Sequence, residues 1–246
     1  MPLLTSAQNP AIKAIRALAQ KKHRADQGLF VAEGGKVLAR AKDMGWLPQT
    51  LVSMGEPPDL GQSVTLEVTP QVMATLSAQN NPPQLLGTYA QRWAGKVSER
   101  GLWLALEDVR DPGNLGTILR TADAVGAEGV ILAGNSCDPW GPECVRATMG
   151  SIFAVPLVRM SVAELTALCR AWPGDSVGTH LEGEADYRGA YQSPTLLVMG
   201  SEGAGLSKKL AETCSRLVRI PMRQGPESLN LAIATGLMLY EIAKPN

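Results

Sequence analysis

From Leu102 onward, apolar runs of strand length alternate with helical repeats, and this alternation restricts the chain more than any other feature. The runs cover 102–106, 130–133, 155–158, 176–180, 195–199 and 217–220, and helical spacing fits 115–125, 162–171, 208–214 and 229–243. Strands separated by helices predict an α/β fold with a parallel sheet covered on both faces. The 45% apolar content, with 25 Gly and 17 Pro spread along the chain, excludes disordered and coiled-coil readings.

The first part of the chain reads differently. Ile12, Ile15, Leu18 and Ala19 recur at helical spacing behind Asn9-Pro10, so a helix is expected over 9–22. A second helical stretch at 34–43 and short apolar runs at 51–52 and 64–68 alternate with turn clusters, which predicts a small α/β unit. Polar, turn-rich sequence near 90–100 sets the expected boundary, giving domains of 1–95 and 96–246. The zero net charge conceals an asymmetry. Residues 1–42 hold eight cations against Asp26 and Glu33, a net +6 that the remainder balances. A basic end of this kind suits either an anionic partner, by release of phosphate counterions, or a solvated helix face.

Cys137, Cys144, Cys169 and Cys214 are not spaced as a zinc motif, so neither a metal site nor a disulfide framework is expected. With two histidines, His23 and His180, a Ser-His-Asp or Cys-His centre has little material. The start of the chain lacks a signal-peptide pattern and no run is long enough to span a bilayer, so a cytoplasmic location without membrane contact is expected.

In open parallel sheets ligands sit beyond the carboxyl ends of strands, and three such places are rich in polar residues and glycine. The first, EDVRDPGN at 107–114, leads into a helix whose apolar face is Leu115, Ile118, Leu119, Ala122 and Val125. Arg120 falls about 150° from the centre of that face and points away from the local core. The second is Gly200-Ser201-Glu202-Gly203-Ala204-Gly205-Leu206-Ser207, which matches neither a dinucleotide fingerprint nor a phosphate loop. The third runs from Ile220 to Asn230, where Ser228 and Asn230 stand at the start of a helix expected to be buried by Leu229, Ala232, Ile233, Leu237 and Tyr240.

Together the three places resemble the motifs of the SpoU-type (TrmH-type) RNA ribose 2'-O-methyltransferases of the SPOUT superfamily: N-x-G-x-x-x-R-T at 114–121, the Gly-rich turn around Glu202, and I-P-M followed by S-L-N at 228–230. Residues 137–150 resemble the loop and helix between the family's first two strands, and the stretch from Thr5 to Gly34 resembles the amino-terminal substrate-binding domain of its ribosomal-RNA members. The chain departs from the usual pattern at Gln224 and Gly225, where a glycine comes one residue late, and at 231–233, where Leu-Ala-Ile replaces Val-Ser-Val.

The resemblance implies a carboxy-terminal SPOUT domain with a deep trefoil knot, a homodimer, and S-adenosylmethionine held by Met199, Gly200, Glu202, Gly203, Gly205, Ile220, Met222, Ser228 and Leu229. It implies a catalytic set of Arg120, Asn114, Glu202, Ser228 and Asn230, and RNA contacts by Lys13, Lys21, Lys22 and Arg24, with Arg146 of the second domain near the target. The expected reaction is methylation of a ribosomal-RNA ribose. Methylation of transfer RNA and a non-catalytic RNA-binding module stay open as alternatives. The proton acceptor also stays open among RNA phosphate, water and Glu202. Neutralising an arginine at pH 7 costs about 7 kcal/mol, so Arg120 is expected to act as a cation.

Overall fold

The apolar stripe at the start of the chain forms two helices rather than the single one expected over 9–22. Asn9 caps α1 (Pro10–Ala17), and α2 (Lys21–Gln27) follows after a break. Arg24 causes the break. Its Nη1 donates to the carbonyls of Leu18 and Ala19 at 2.8 Å each, so these groups are satisfied without a continuing helix. The structure, a computed structural model, describes residues 3–77, 79–181, 183, 185–222 and 228–244.

The chain then forms β1 (Leu29–Glu33), α3 (Gly35–Asp43), β2 (Thr50–Ser53), β3 (Val64–Glu67), α4 (Pro70–Leu76) and β4 (Leu85–Ala90). The sheet order is β1-β4-β2-β3, with β4 antiparallel to both neighbours and β2 parallel to β3. β1 and β4 have no counterpart in the sequence reading, and β4 carries a glycine at its centre, a residue that weakens any strand signal. Gly87 has a packing reason: a Cβ there would lie 2.8 Å from the Tyr89 ring. Ile12, Ile15 and Leu18 pack with Val31, Val52, Val72, Met73 and Leu86 in the core of this unit.

The remaining elements are β5 (Leu102–Glu107), α5 (Pro112–Ala124), β6 (Gly129–Ala133), α6 (Pro142–Ala147), β7 (Leu157–Met160), α7 (Val162–Ala171), β8 (Ser176–Thr179), β9 (Ala185–Asp186), β10 (Thr195–Met199), α8 (Lys208–Ala211), β11 (Arg216–Arg219) and α9 (Leu231–Ala243). Their seven strands make one sheet in the order β7-β6-β5-β10-β8-β11-β9, parallel throughout as the alternation predicts. Every residue of β5, β6 and β10 is buried, which requires cover on both faces. The expected helix at 208–214 stops at Ala211. On α9 the expected apolar stripe is corrected: Leu231, Ala232, Thr235, Met238 and Leu239 face inward, whereas Ile233 and Tyr240 are 57% and 61% exposed. A helix apolar all round carries no signal for which face is inner. No helix among the described residues is long and apolar enough to cross a membrane.

The chain divides into two compact units, Met1–Arg92 with Asp138–Ala154, and Trp93–Cys137 with Val155–Asn246. The segment between β6 and β7, α6 included, therefore packs with the first unit, and Arg146 lies there rather than in the second domain as expected. The cause is aromatic. Trp140 and Phe153 join Phe30, Trp46 and Tyr89, with centroids 4.8 Å apart for Phe30–Trp140 and for Tyr89–Phe153. A buried ion pair adds to this. Arg24, 5% exposed, donates through Nε and Nη2 to Asp138 Oδ2 at 3.0 and 2.8 Å. With its guanidinium used in this way, Arg24 is not a surface cation for RNA, which corrects the sequence expectation. Arg24→Ala leaves Asp138 and two carbonyls without their donor, so a loss of roughly 3–5 kcal/mol is expected in urea unfolding. Lys21→Ala and Lys22→Ala, at exposed sites, are expected to stay within about 0.5 kcal/mol of wild type.

Candidate active site

The carboxyl ends of β5 and β10 carry turns that one side chain ties together. Glu202 accepts the amides of Arg110 and Asp111, each at 3.1 Å, and the Asn114 side-chain amide at 3.3 Å. The network continues into α9. Asn230 Nδ2 donates to Asn114 Oδ1 at 3.0 Å, and Asn230 Oδ1 caps the helix by accepting from Ala232 and Ile233. Asn114 is fixed in turn by α5, where the Asp111 carboxylate caps the helix by accepting its backbone amide at 2.6 Å. A parallel tie lies deeper: Glu107, at the end of β5, accepts the amide of Ser207, which caps α8. Three of the five residues expected to be catalytic, Asn114, Glu202 and Asn230, thus form one chain of hydrogen bonds.

The Gly-rich turn is closed by paired bonds between Ser201 and Gly205, N to O in both directions at 3.0 and 3.1 Å. Only glycine fits at 200, where a Cβ would sit 1.9 Å from the carbonyl carbon of Gly205. Burial pushes the Glu202 carboxyl up, but the amides of its own residue, Asp111 and Arg110 and the Asn114 side chain outweigh it and hold the group below the usual glutamate value.

Beside this turn lies a cavity of about 800 Å³. All nine residues expected to bind the cofactor line it: Met199, Gly200, Glu202, Gly203, Gly205, Ile220, Met222, Ser228 and Leu229. Thr179, Leu181 and Arg219, which the sequence did not single out, line it as well, and so does His180, noted there only as one of two histidines with too little material around them for a catalytic centre. The signal for Thr179, His180 and Leu181 was available, since they are the end of β8 and the two residues after it, at the same edge of the sheet as the three polar turns. The departure from the family pattern at Gln224 and Gly225 lies outside the described residues. Ser228 is exposed at the cavity and makes no hydrogen bond among the described residues.

Arg120 stands apart from this group. It is exposed on α5, as its wheel position predicts, and is not among the residues lining the cavity. It follows Asn114 by six residues, roughly 9 Å along the helix and about 120° around it. Its neighbours Thr117 and Thr121 share a shallow surface with Ile233, Leu237 and Tyr240 of α9. Of the residues expected to contact RNA, Lys13, Lys21, Lys22 and Arg146 are all exposed.

An α/β unit with one parallel sheet and a glycine-bounded cavity at its carboxyl edge describes a class of small-ligand sites, and comparison with known proteins narrows it. The SpoU rRNA Methylase family model matches residues 101–240 and an MRM3-like substrate binding domain model matches 9–87, and the chain belongs to the SpoU rRNA Methylase family. An AdoMet-bound rRNA methyltransferase of Sinorhizobium meliloti superposes with a TM-score of 0.90 at 44% identity, over 98% of this chain and 96% of that one. The chain is 29% identical to the 23S rRNA (guanosine(2553)-2'-O)-methyltransferase RlmP of Bacillus subtilis, over 98% of this chain and 99% of that protein. It is 32% identical to the 23S rRNA (uridine(2479)-2'-O)-methyltransferase of Streptomyces viridochromogenes, over 92% and 86%.

Because the folded Glu202 titrates below its unfolded value, its ionised form stabilises the fold above the ordinary glutamate range, and this contribution is lost as pH falls through the lowered value. Urea midpoints of wild type and Glu202→Gln are expected to differ by a constant amount above about pH 5 and to converge as the carboxyl protonates below it.

Proposed function

We propose that the protein methylates a ribose 2'-hydroxyl of ribosomal RNA with S-adenosylmethionine as donor. The observation that carries the reading is the enclosure of one cavity by every residue expected to hold that donor. The residues fit the group: Leu206, Ile220, Leu229 and Leu231 give apolar wall for an adenine, and the backbone of 199–205 gives close polar contact. When bound, the donor supplies a sulfonium methyl whose departing thioether is neutral and needs no acid.

The chain's own residues then have two tasks: to position the RNA oxygen and to stabilise the charge it develops. Asn114, Glu202 and Asn230 hold the turns at the cavity mouth in one geometry. Glu202 is a poor proton acceptor, since its carboxylate already receives the amides of two residues and is held below its usual pKa. Arg120 stays cationic, grips a phosphate and stabilises the developing alkoxide. The proton leaves to RNA phosphate or water.

Arg120 reaches a cavity through a second copy of the chain. The reading is supported by the exposed apolar side chains Ile233, Leu237 and Tyr240 of α9, which share a surface with Thr117 and Thr121 of the Arg120 helix and which a partner copy covers in a homodimer. The knotted path belongs to the same reading. It is supported by the insertion of β11 between β8 and β9 and by the return of α9 onto β10 and α5. Lys13, Lys21 and Lys22 engage RNA phosphates, and a cytoplasmic location accords with the ribosomal substrate.

Arg120→Ala is expected to abolish transfer of radiolabelled methyl to ribosomal RNA while donor affinity stays within a few-fold, with partial rescue by Arg120→Lys; undiminished turnover in the alanine variant refutes the assignment. Nuclease digestion and mass analysis of the product should give a 2'-O-methyl nucleoside. Ile233→Glu with Tyr240→Glu is expected to halve the sedimenting mass and abolish turnover, and mixing it with active-site variants should not restore activity.

A further inference from the structure

The first unit holds a second cleft, of about 320 Å³, between the end of β1, the start of α3 and α6. Its walls are apolar: Val31, Val37, Pro142, Val145 and Met149. Two exposed cations, Lys36 and Arg146, stand among its lining residues. The first turn of α3 opens on it too, and the cap residue there, Gly34, brings no side chain to the helix's first amides. One carboxylate completes the lining. Glu33 Oε2 accepts both the Ser77 hydroxyl and the Gln79 amide at 2.7 Å, while Oε1 accepts no hydrogen bond among the described residues.

An apolar slot with cations at the rim and a single fixed acceptor inside is the complement of a nucleotide: a flat base, anionic phosphate outside it, and a donor on the base edge. We propose that this cleft receives one unstacked base of the RNA substrate, and that Glu33 Oε1 selects a base bearing an exocyclic amino group over uracil. The occupant is RNA because Lys36 and Arg146 stand exposed at the cleft, and Lys36 belongs to a segment, residues 1–42, that keeps a cationic excess after the buried Arg24 is set aside. The base must be unstacked because a slot of this size admits no duplex, and single-stranded bases are what proteins read on their Watson–Crick edges. Cytosine and adenine offer an amino donor to a carboxylate oxygen at N4 and N6, and guanine one at N2, whereas uracil presents a carbonyl oxygen where cytosine carries its amino group. Glu33 is pinned by Ser77 and Gln79, so Oε1 is held in a fixed direction, as selection requires.

The inference rests on the reading of the protein as an RNA methyltransferase only for its choice of partner, and its test is separable from that reading. Binding of fluorescein-labelled oligo(rC) and oligo(rU) to the full-length protein is measured by anisotropy over a range of salt. Wild type is expected to prefer oligo(rC) by about fivefold, the scale of one hydrogen bond. Glu33→Gln keeps an oxygen for Ser77 and Gln79 and presents an amide donor where Oε1 stood, so the preference is expected to invert toward oligo(rU). A merely structural Glu33 would weaken both ligands alike. Lys36→Ala with Arg146→Ala, both at exposed sites, is expected to weaken both oligonucleotides and to reduce the salt slope by roughly 1.4, for two phosphate contacts. Equal affinities in wild type, or a preference unchanged by Glu33→Gln, overturn the proposal even if the enzyme methylates ribosomal RNA. An inverted preference in a protein without methyl-transfer activity sustains the base site and refutes the proposed reaction instead.

Discussion

The carboxylate of Glu202 is the constraint on which the site depends. A turn of three glycines within six residues has little preference for any one shape, and the loop after β5 is similarly free until something fixes it. Glu202 fixes both. It takes the amides of Arg110 and Asp111 and the side chain of Asn114, so the loops after two adjacent parallel strands share one anion. Asn230 extends the arrangement to α9 through the amide oxygen of Asn114. Because each Asn uses its oxygen and its nitrogen in defined directions, the chain of bonds has a single orientation, and neither amide can turn over without losing partners.

The same economy explains why a permanent cation is placed away from that carboxylate. Had Arg120 paired with Glu202, the guanidinium would be neutralised by its own protein and its charge would be of little use to an RNA oxygen. Instead the amides satisfy Glu202, and Arg120 stays exposed with no ion pair among the described residues. In the proposed reaction this separation keeps the Arg120 charge available to RNA, with the cavity supplied by a second copy of the chain.

What the sequence disclosed followed from burial. Strands such as 102–106 and 195–199 are covered on both faces, so their signal is a continuous apolar run and survives without any knowledge of neighbours. β4 lacked such a signal because Gly87 interrupts it. α9 was assigned the wrong inner face because Leu237 and Tyr240 are as apolar as Met238 and Leu239, and periodicity has no contrast to work with. The break after Ala17 came from Arg24, a residue whose role depends on an aspartate far along the chain. Asn114, Glu202 and Asn230 came to notice through motif order, not through any local rule, since hydrogen bonds between residues some ninety to one hundred and sixteen positions apart leave no periodic trace.

The excursion at 138–154 has a topological consequence. The backbone leaves one unit after Cys137, contributes Trp140 and Phe153 to the aromatic core of the other, and returns at Val155. A fragment ending at Arg92 would lack two of the five rings in that core and the acidic partner of Arg24. The amino-terminal half therefore cannot be severed at Arg92 with its core intact, because its aromatic centre is completed by a loop inserted between two strands of the other unit's sheet.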